Sequence, residues 1–414
     1  DQGILRAVEK CNGSGDCRKT TTDATICPSY RATKDEKDST RGRANILREA
    51  LTNSDSKSPF DNPQIKQVMD LCISCKACAS ECPSSVDMAT YKAEFLYQYQ
   101  KKHRPGLRDR IFAFNGKMSK ILNPVRSIQN GVFQIPFLGS LIKKSLGIAS
   151  ARSLPKLFAP LDQQLIKQHQ PQSKRQVYLY LDEFTNYLDV KTGRDAFEVL
   201  KRLGYYVNIL PSTESGRSYI SKGFLEQAKA CANQNVALYK HLVNSEIPLL
   251  GIEPSALFTF KVEYLKLAND QSNAKKLAEN CFLIEEFLAN EIDKGHLSTN
   301  AFTDQGKNIK IHAHCYQKSL GNPADTFKIL NLPKNYKVTL LSTGCCGMAG
   351  SFGYEAEHFE ISQKIGEERL FPSIRKMDAT TLVAANGTSC RHQISDGTSR
   401  KALHPISLLY QAMH

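Results

Sequence analysis

The sequence predicts an α+α/β chain: a helical domain carrying two cysteine-rich loops, followed by a duplicated α/β domain with parallel sheets. Three observations carry this reading. Seven of the thirteen cysteines fall within the first 82 residues at repeated spacings. From Val177 onward, short apolar runs alternate with segments of helical periodicity, an order that gives right-handed crossovers and parallel strands. The same order recurs about 130 residues later, which predicts an internal duplication.

Composition sets the bounds. A chain of 414 residues with 41% hydrophobic and 23% charged residues has room for two or three globular domains. Its apolar runs all fall short of the ~18 residues that span a bilayer. Thirteen clustered cysteines in so long a chain point to metal binding in a reducing compartment, not to a disulfide scaffold. The expected location is cytoplasmic, with peripheral contact at the inner face of the membrane as a further option. The chain opens at Asp1, close to its first cysteine motif, and reads as a fragment or a processed chain.

Residues 1–102 are the first domain. Ser39 or Thr40 caps a helical pattern from Ala44 to Leu51, and residues 64–71 form a short helix delivering Cys72. Val86, Met88, Ala89, Ala93, Phe95, Leu96 and Tyr99 mark a helix over 86–102. The run Cys72-x2-Cys75-x2-Cys78-x3-Cys82-Pro83 has ferredoxin spacing. Three thiolates wrap one cubane, and the fourth, turned away by proline, reaches the neighbouring cluster. The earlier copy has Cys11, Cys17 and Cys27-Pro28, with Ser14 where its second cysteine would stand. Cross-ligation assigns Cys27, Cys72, Cys75 and Cys78 to one [4Fe–4S] cluster. Cys11, Cys17 and Cys82 are left for either a [3Fe–4S] cluster or a [4Fe–4S] cluster with one weakly held iron, with Ser14 or Asp16 as an oxygen donor. Zinc competes as occupant, but seven thiolates exceed one tetrahedral site.

Residues 103–175 are a basic linker. From Lys101 to Arg175 there are 15 Lys and Arg against Asp109 and Asp162, so nearly all of the +14 net charge belongs here. Apolar clusters at Ile111–Phe114, Val132-Phe133 and Leu141-Ile142, broken by Pro124, Pro136 and Pro155, predict short amphipathic helices. The stretch either docks on an acidic partner or anionic membrane, or lies across its own protein with its charges solvated. It carries no nucleic-acid-binding motif.

Residues 176–300 are the first α/β half. Strands are predicted at 177–181, 205–210 and 248–252, with helices at 195–203 and 224–243; Cys231 and Cys281 fall in helical patterns as small core residues. Residues 301–414 are the second half, with strands at 309–312, 338–341 and, last, 382–385, and helices at 326–332 and 355–370. Cys315, Cys345-Cys346-Gly347 and Cys390 each follow a strand, at the edge where open parallel sheets build their sites. Four thiolates there suit a further iron–sulfur cluster, with a thiol or disulfide redox site as the alternative. Gly344 and Gly347 permit the tight turn that two adjacent cysteine ligands need. His314 and His392 are added as ligands or as hydrogen-bond donors to sulfur. The first half has Asp182-Glu183, Glu214-Ser215 and Glu253-Pro254 at the equivalent positions and is expected to be a structural partner.

Taken together, Cys11–Cys17, Cys27–Thr33, Ser39–Ala44, Cys72–Cys78, Gly344-Cys345-Cys346-Gly347-Met348-Ala349-Gly350 and Asn386-Gly387-Thr388-Ser389-Cys390-Arg391-His392 resemble the iron–sulfur portion of FAD-linked oxidases. That group includes fused D-lactate or D-2-hydroxyglutarate dehydrogenases, the iron–sulfur subunits of glycolate oxidases and those of anaerobic glycerol-3-phosphate dehydrogenases. The C-terminal motifs resemble the group's cysteine-rich (CCG) domain. This chain departs from the pattern in lacking the first CCG motif and in having Gln393 where a final cysteine would stand. The resemblance implies FAD on a domain or subunit outside this sequence, two ferredoxin-type clusters and a third C-terminal centre. It implies transfer from flavin to a quinone or another acceptor, with Arg41 and Arg43 facing the flavin domain and raising cluster potentials, or simply capping their helix. A stand-alone enzyme of the heterodisulfide reductase kind, acting at the C-terminal cysteines, and a scaffold with structural clusters are the alternatives.

Overall fold

The computed structural model describes residues 3–20, 24–53 and 58–414. The N-terminal region is helical. Ser39 caps the Thr40–Thr52 helix by accepting the Gly42 amide, Asn62 caps Pro63–Asp70, and Asp87 caps Met88–Gln100. Each cap satisfies donors that a first turn leaves open. The helices pack Leu47, Ile65, Met69, Met88 and Phe95 into a core that also takes in Cys345, Phe352 and Ile365 from the far end of the chain. The cysteine-rich region and the second α/β half therefore share one interior.

The basic segment forms short helices at Leu107–Ala113, Asn115–Leu122, Arg126–Gln134 and Pro136–Ser145. Ion pairs fasten its start to the body: Arg108 pairs with Glu357, and Lys222 pairs with both Asp109 and Glu355.

Among the described residues, eight strands make two four-stranded sheets. The first holds β1 (Gln176–Tyr180), β2 (Tyr206–Asn208), β3 (Leu249–Gly251) and β4 (Cys281–Leu283); the second holds β5 (Lys307–His312), β6 (Tyr336–Leu340), β7 (Leu382–Ala385) and β8 (Ala402–Leu403). Their orders are β2-β1-β3-β4 and β6-β5-β7-β8, with every pair parallel, so the second half repeats the first. In the second sheet the order reverses at β5, which opens a crevice beyond the carboxyl ends of β5 and β7. One core joins the halves, with Leu179, Leu250 and Leu288 packed in the same cluster as Ile311, Ala384 and Ile406.

Two sequence expectations need correction. Cys281 lies in β4, not in a helix, although it is fully buried as expected. The strand at 382–385 is not the last, because β8 follows it on the sheet edge.

Candidate metal centres

Cys27, Cys72, Cys75 and Cys78 line one cavity, together with Thr40, Arg43, Met88 and Ala89. Two loops distant in sequence meet there because Glu81, on the Ala77–Glu81 helix, accepts the amides of Thr25 and Ile26 at 3.0 and 2.8 Å. Cys27 Sγ receives the Thr40 amide at 2.9 Å, a bond that favours negative charge on sulfur. Cys27, Ser74 and Lys76 hold φ values of 49°, 51° and 63°. Such backbone costs about 1–3 kcal/mol per residue and persists only where its surroundings impose it. Left-handed residues interleaved with cysteines form the kind of backbone nest that receives an anionic group. Four thiols around one cavity, amide donors and the Arg43 guanidinium fit an anionic iron–sulfur cluster. Burial pushes the Cys78 thiol up to about 12, so metal binding there must displace a proton.

Cys17 is buried beside this cavity, whereas Cys11 and Cys82 are half-buried. Cys17 Sγ accepts the Arg41 amide at 3.4 Å, and its thiol, hydrogen-bonded to Cys27, is lowered to about 6. Ser14 is exposed, its amide held by Asn12 at 3.1 Å, and the Asp16 carboxylate pairs with Lys19 at 2.7 Å. Arg41 carries its charge past Cys11 and Cys17 to Glu36 at 2.8 Å. Arg43 does not face outward to a flavin domain. It is 1% exposed and bonds the Val68 carbonyl at 2.7 Å, the Asp38 carbonyl and the Ser29 hydroxyl.

The C-terminal cysteines converge across the second-sheet crevice. Cys315 opens the Cys315–Leu320 helix after β5, Cys345 and Cys346 follow β6, and Cys390 lies in the Thr388–Thr398 helix after β7. Their thiols follow one another in a row, Cys315 to Cys345 to Cys346 to Cys390, each close enough to its neighbour to shift its ionisation. Gly347 makes the turn with φ 90°; a Cβ there would meet the Ser362 carbonyl at 2.3 Å. Gly344 needs no such freedom, since a Cβ there finds only the Ala24 carbonyl at 4.0 Å.

Two residues that sequence reasoning missed complete the site. Lys318 is half-buried beside the four thiols and donates to the Thr343 carbonyl and, at 2.9 Å, to the Gly344 carbonyl; desolvation lowers its pKa. His312, the last residue of β5, lies with Cys346 and Cys390 so that their three donor atoms fall within 4.8 Å of one another. A histidine at the carboxyl end of a strand, three residues before Cys315, was the signal available for it. His314 instead caps its own helix, its Nδ1 accepting the Tyr316 amide at 3.1 Å. His392 is half-buried, and the charges of Asp189, Arg391, Asp396 and Arg152 act on it. In the first half, Asp182 caps the Glu183–Tyr187 helix, Glu183 accepts the Ser215 amide at 2.8 Å, and Glu253 reaches across to the Thr388 amide at 2.8 Å. Burial raises Asp182 to about 7 and Glu183 to about 8.

The two sites adjoin. The Cys315–Leu320 helix packs on Ala77–Glu81, Ser319 donates to the Cys75 carbonyl at 3.4 Å, and the Cys315 thiol is close enough to disfavour charge on Cys75.

Residues 10–87 match the family described as the 4Fe-4S dicluster domain. This chain resembles the iron–sulfur portion of an oxidase. D-2-hydroxyglutarate dehydrogenase of Escherichia coli (strain K12) is 25% identical over 98% of this chain and 44% of its own length. One subunit of the anaerobic glycerol-3-phosphate dehydrogenase of the same strain is 28% identical over 75% of this chain and 78% of its own length. The glycolate oxidase iron-sulfur subunit of that strain is 21% identical over 99% and 94% respectively. The chain thus spans less than half the length of the D-2-hydroxyglutarate dehydrogenases it matches. No solved structure matches it. Among the described residues, no helix is long and apolar enough to cross a membrane.

Proposed function

We propose that this chain is the electron-transfer portion of a flavin-dependent D-2-hydroxy-acid dehydrogenase, carrying electrons from FAD on another domain or subunit to a quinone or other acceptor. The observation that carries the proposal is the adjacency of the Cys27/Cys72/Cys75/Cys78 cavity and the C-terminal cysteine row, joined through Cys75 and Cys315. Cys27, Cys72, Cys75 and Cys78 hold a [4Fe–4S] cluster in this reading, Cys11, Cys17 and Cys82 a [3Fe–4S] or labile [4Fe–4S] cluster, and Cys315, Cys345, Cys346 and Cys390 the third centre. Such clusters take up and release electrons singly, which splits the pair that a flavin delivers.

The chain's own residues set the terms of transfer. Thr40 and Arg41 amides stabilise charge on Cys27 and Cys17. Lys76, buried beside the cluster loop, stays charged: burial opposes this, but Glu263 and Asp87, at 3.2 and 2.8 Å, outweigh it. Cys345, Cys346 and Cys390 are at most 6% exposed, which counts against a disulfide substrate reaching them. An open cleft beside Cys72, lined by Lys92, Tyr99, His103, Phe352 and His358, gives an acceptor an approach.

Contact with an anionic membrane belongs to the same reading. Ten of the thirteen exposed large apolar side chains among the described residues fall between Leu107 and Ile166, including Ile121, Ile128 and Phe137. No Asp or Glu lies between Asp109 and Asp162. Apolar groups set among exposed cations such as Lys120 and Lys144 suit anionic headgroups.

The test is air-excluded protein followed by electron paramagnetic resonance. The oxidised chain should show a [3Fe–4S]-type signal that Ser14→Cys diminishes. D-2-Hydroxyglutarate or D-lactate should reduce the clusters only when a flavin-bearing domain is supplied. Reduction of the chain alone, or clusters that never change redox state, would sink the proposal.

A further inference from the structure

Four thiols are not the whole donor set at the C-terminal site. His312 is 1% exposed, its Nδ1 meets the Thr343 hydroxyl at 2.6 Å, and its Nε2 is buried with no hydrogen-bond partner among the described residues. A ring nitrogen of His312 and the sulfurs of Cys346 and Cys390 lie within 4.8 Å of one another. A buried ring nitrogen without a partner forfeits about 1–3 kcal/mol of desolvation unless something binds it. Donors bound to one metal at about 2.0–2.3 Å sit roughly 3.5–3.8 Å apart, so small shifts of these three side chains bring them onto a single ion.

We propose that His312 is a metal ligand of the C-terminal centre, coordinating through Nε2 the iron that Cys346 and Cys390 also approach. This rests on the reading that the site holds an iron–sulfur centre.

The surroundings fit that role. A ligating histidine normally binds a polar partner with its other nitrogen, which fixes tautomer and ring plane. Thr343, itself 1% exposed, occupies that position and comes from the loop that carries Cys345 and Cys346. Placement at the end of β5 gives the ring a rigid base, since Ile311 and His312 pair with Ala384 and Ala385 of β7. The neighbouring histidines are committed elsewhere: His314 to its helix cap, and His392 to the Asp189 and Asp396 side. Imidazole in place of thiolate removes negative charge from a cluster and raises its potential. The C-terminal centre is then an electron sink relative to all-cysteine clusters.

The experiment uses air-excluded protein labelled with 15N-histidine, read by pulsed electron paramagnetic resonance of the reduced centres, with iron and sulfide content and redox titration alongside. The expected result is a strong imidazole-nitrogen coupling on one centre. It should change with the isotope, vanish in His312→Asn, and persist in His314→Gln and His392→Gln. In His312→Cys, which puts a thiolate in place of imidazole, the midpoint of that centre falls while those of the N-terminal clusters stay fixed. The labelled wild-type measurement needs no variant to fold. A third cluster present by iron content but lacking imidazole coupling, or with coupling that survives in His312→Asn, overturns this proposal alone. Iron for only the two N-terminal clusters overturns both the proposal and the third-centre reading.

Discussion

Gly347→Ala separates a turn that the C-terminal centre requires from a glycine that is merely nearby. Gly347 sits at φ 90°, and its Cβ would lie 2.3 Å from the Ser362 carbonyl and 3.1 Å from Ile365 Cβ. The left-handed backbone costs an L-residue about 1–2 kcal/mol. Relieving the overlap requires the Ser362 carbonyl and the turn to part by roughly 1 Å, an overpacking cost of about 1–3 kcal/mol. The carbonyl belongs to the Phe359–Glu368 helix, which is wedged against the cysteine-rich region through Ile365, so the turn is what yields. The sum is about 2–5 kcal/mol, expressed as displacement of Cys345 and Cys346. Gly344→Ala is the control, because its Cβ would meet only the Ala24 carbonyl at 4.0 Å. Gly347→Ala should lower the thermal midpoint and lose the iron and sulfide of the C-terminal centre while keeping the N-terminal signals. Gly344→Ala should match wild type in both. Equal iron content and stability in the two variants would refute the reasoning.

Two further outcomes follow from ion pairs and exposed charge. Glu355 is buried, and although burial raises its pKa, His358 at 2.9 Å, Lys222 at 2.5 Å and Ser351 at 2.8 Å hold it well below its ordinary value of 4.5. Its stabilisation is therefore complete above about pH 4.5 and lost as pH falls through the folded value. Glu355→Gln should destabilise at neutral pH by somewhat less than the ~3–5 kcal/mol of a broken buried pair, since Lys222 keeps Asp109. That deficit should shrink on acidification below about pH 4.5 in denaturant titrations; a gap independent of pH would contradict it. Changing Lys117, Lys120 and Lys144 together to Gln should weaken binding to phosphatidylserine vesicles about a hundredfold, at ~1 kcal/mol per cation. Unchanged vesicle sedimentation would remove the membrane from the proposed function.

The sequence by itself determined the elements whose physics is local. Cysteine spacing followed by proline exposed the two loops, because ligand geometry acts over a few bonds. The Ser39 cap and the Met88–Gln100 helix followed from side-chain type and period. Short apolar runs alternating with helical periodicity announced a parallel sheet, and β7 matched its predicted bounds. Where local signal was thin, the reading failed. β4 is three residues between helices and β8 is two, lengths at which periodicity cannot separate strand from helix.

Tertiary structure alone decided which side chains meet. Arg43 turned inward because the Val68 carbonyl and Ser29 hydroxyl, 25 and 14 residues away, and the nearby Asp38 carbonyl offer acceptors there. His312 became the donor beside Cys346 and Cys390, and His314 a helix cap, because β5 ends where it does against β6 and β7. The packing of Cys315–Leu320 on Ala77–Glu81 joins cysteines some 240 residues apart. Spacing along a chain fixes what one loop can grip. Only the folded interior fixes which loops share a metal-sized space, because that is set by long-range burial and not by neighbours in sequence.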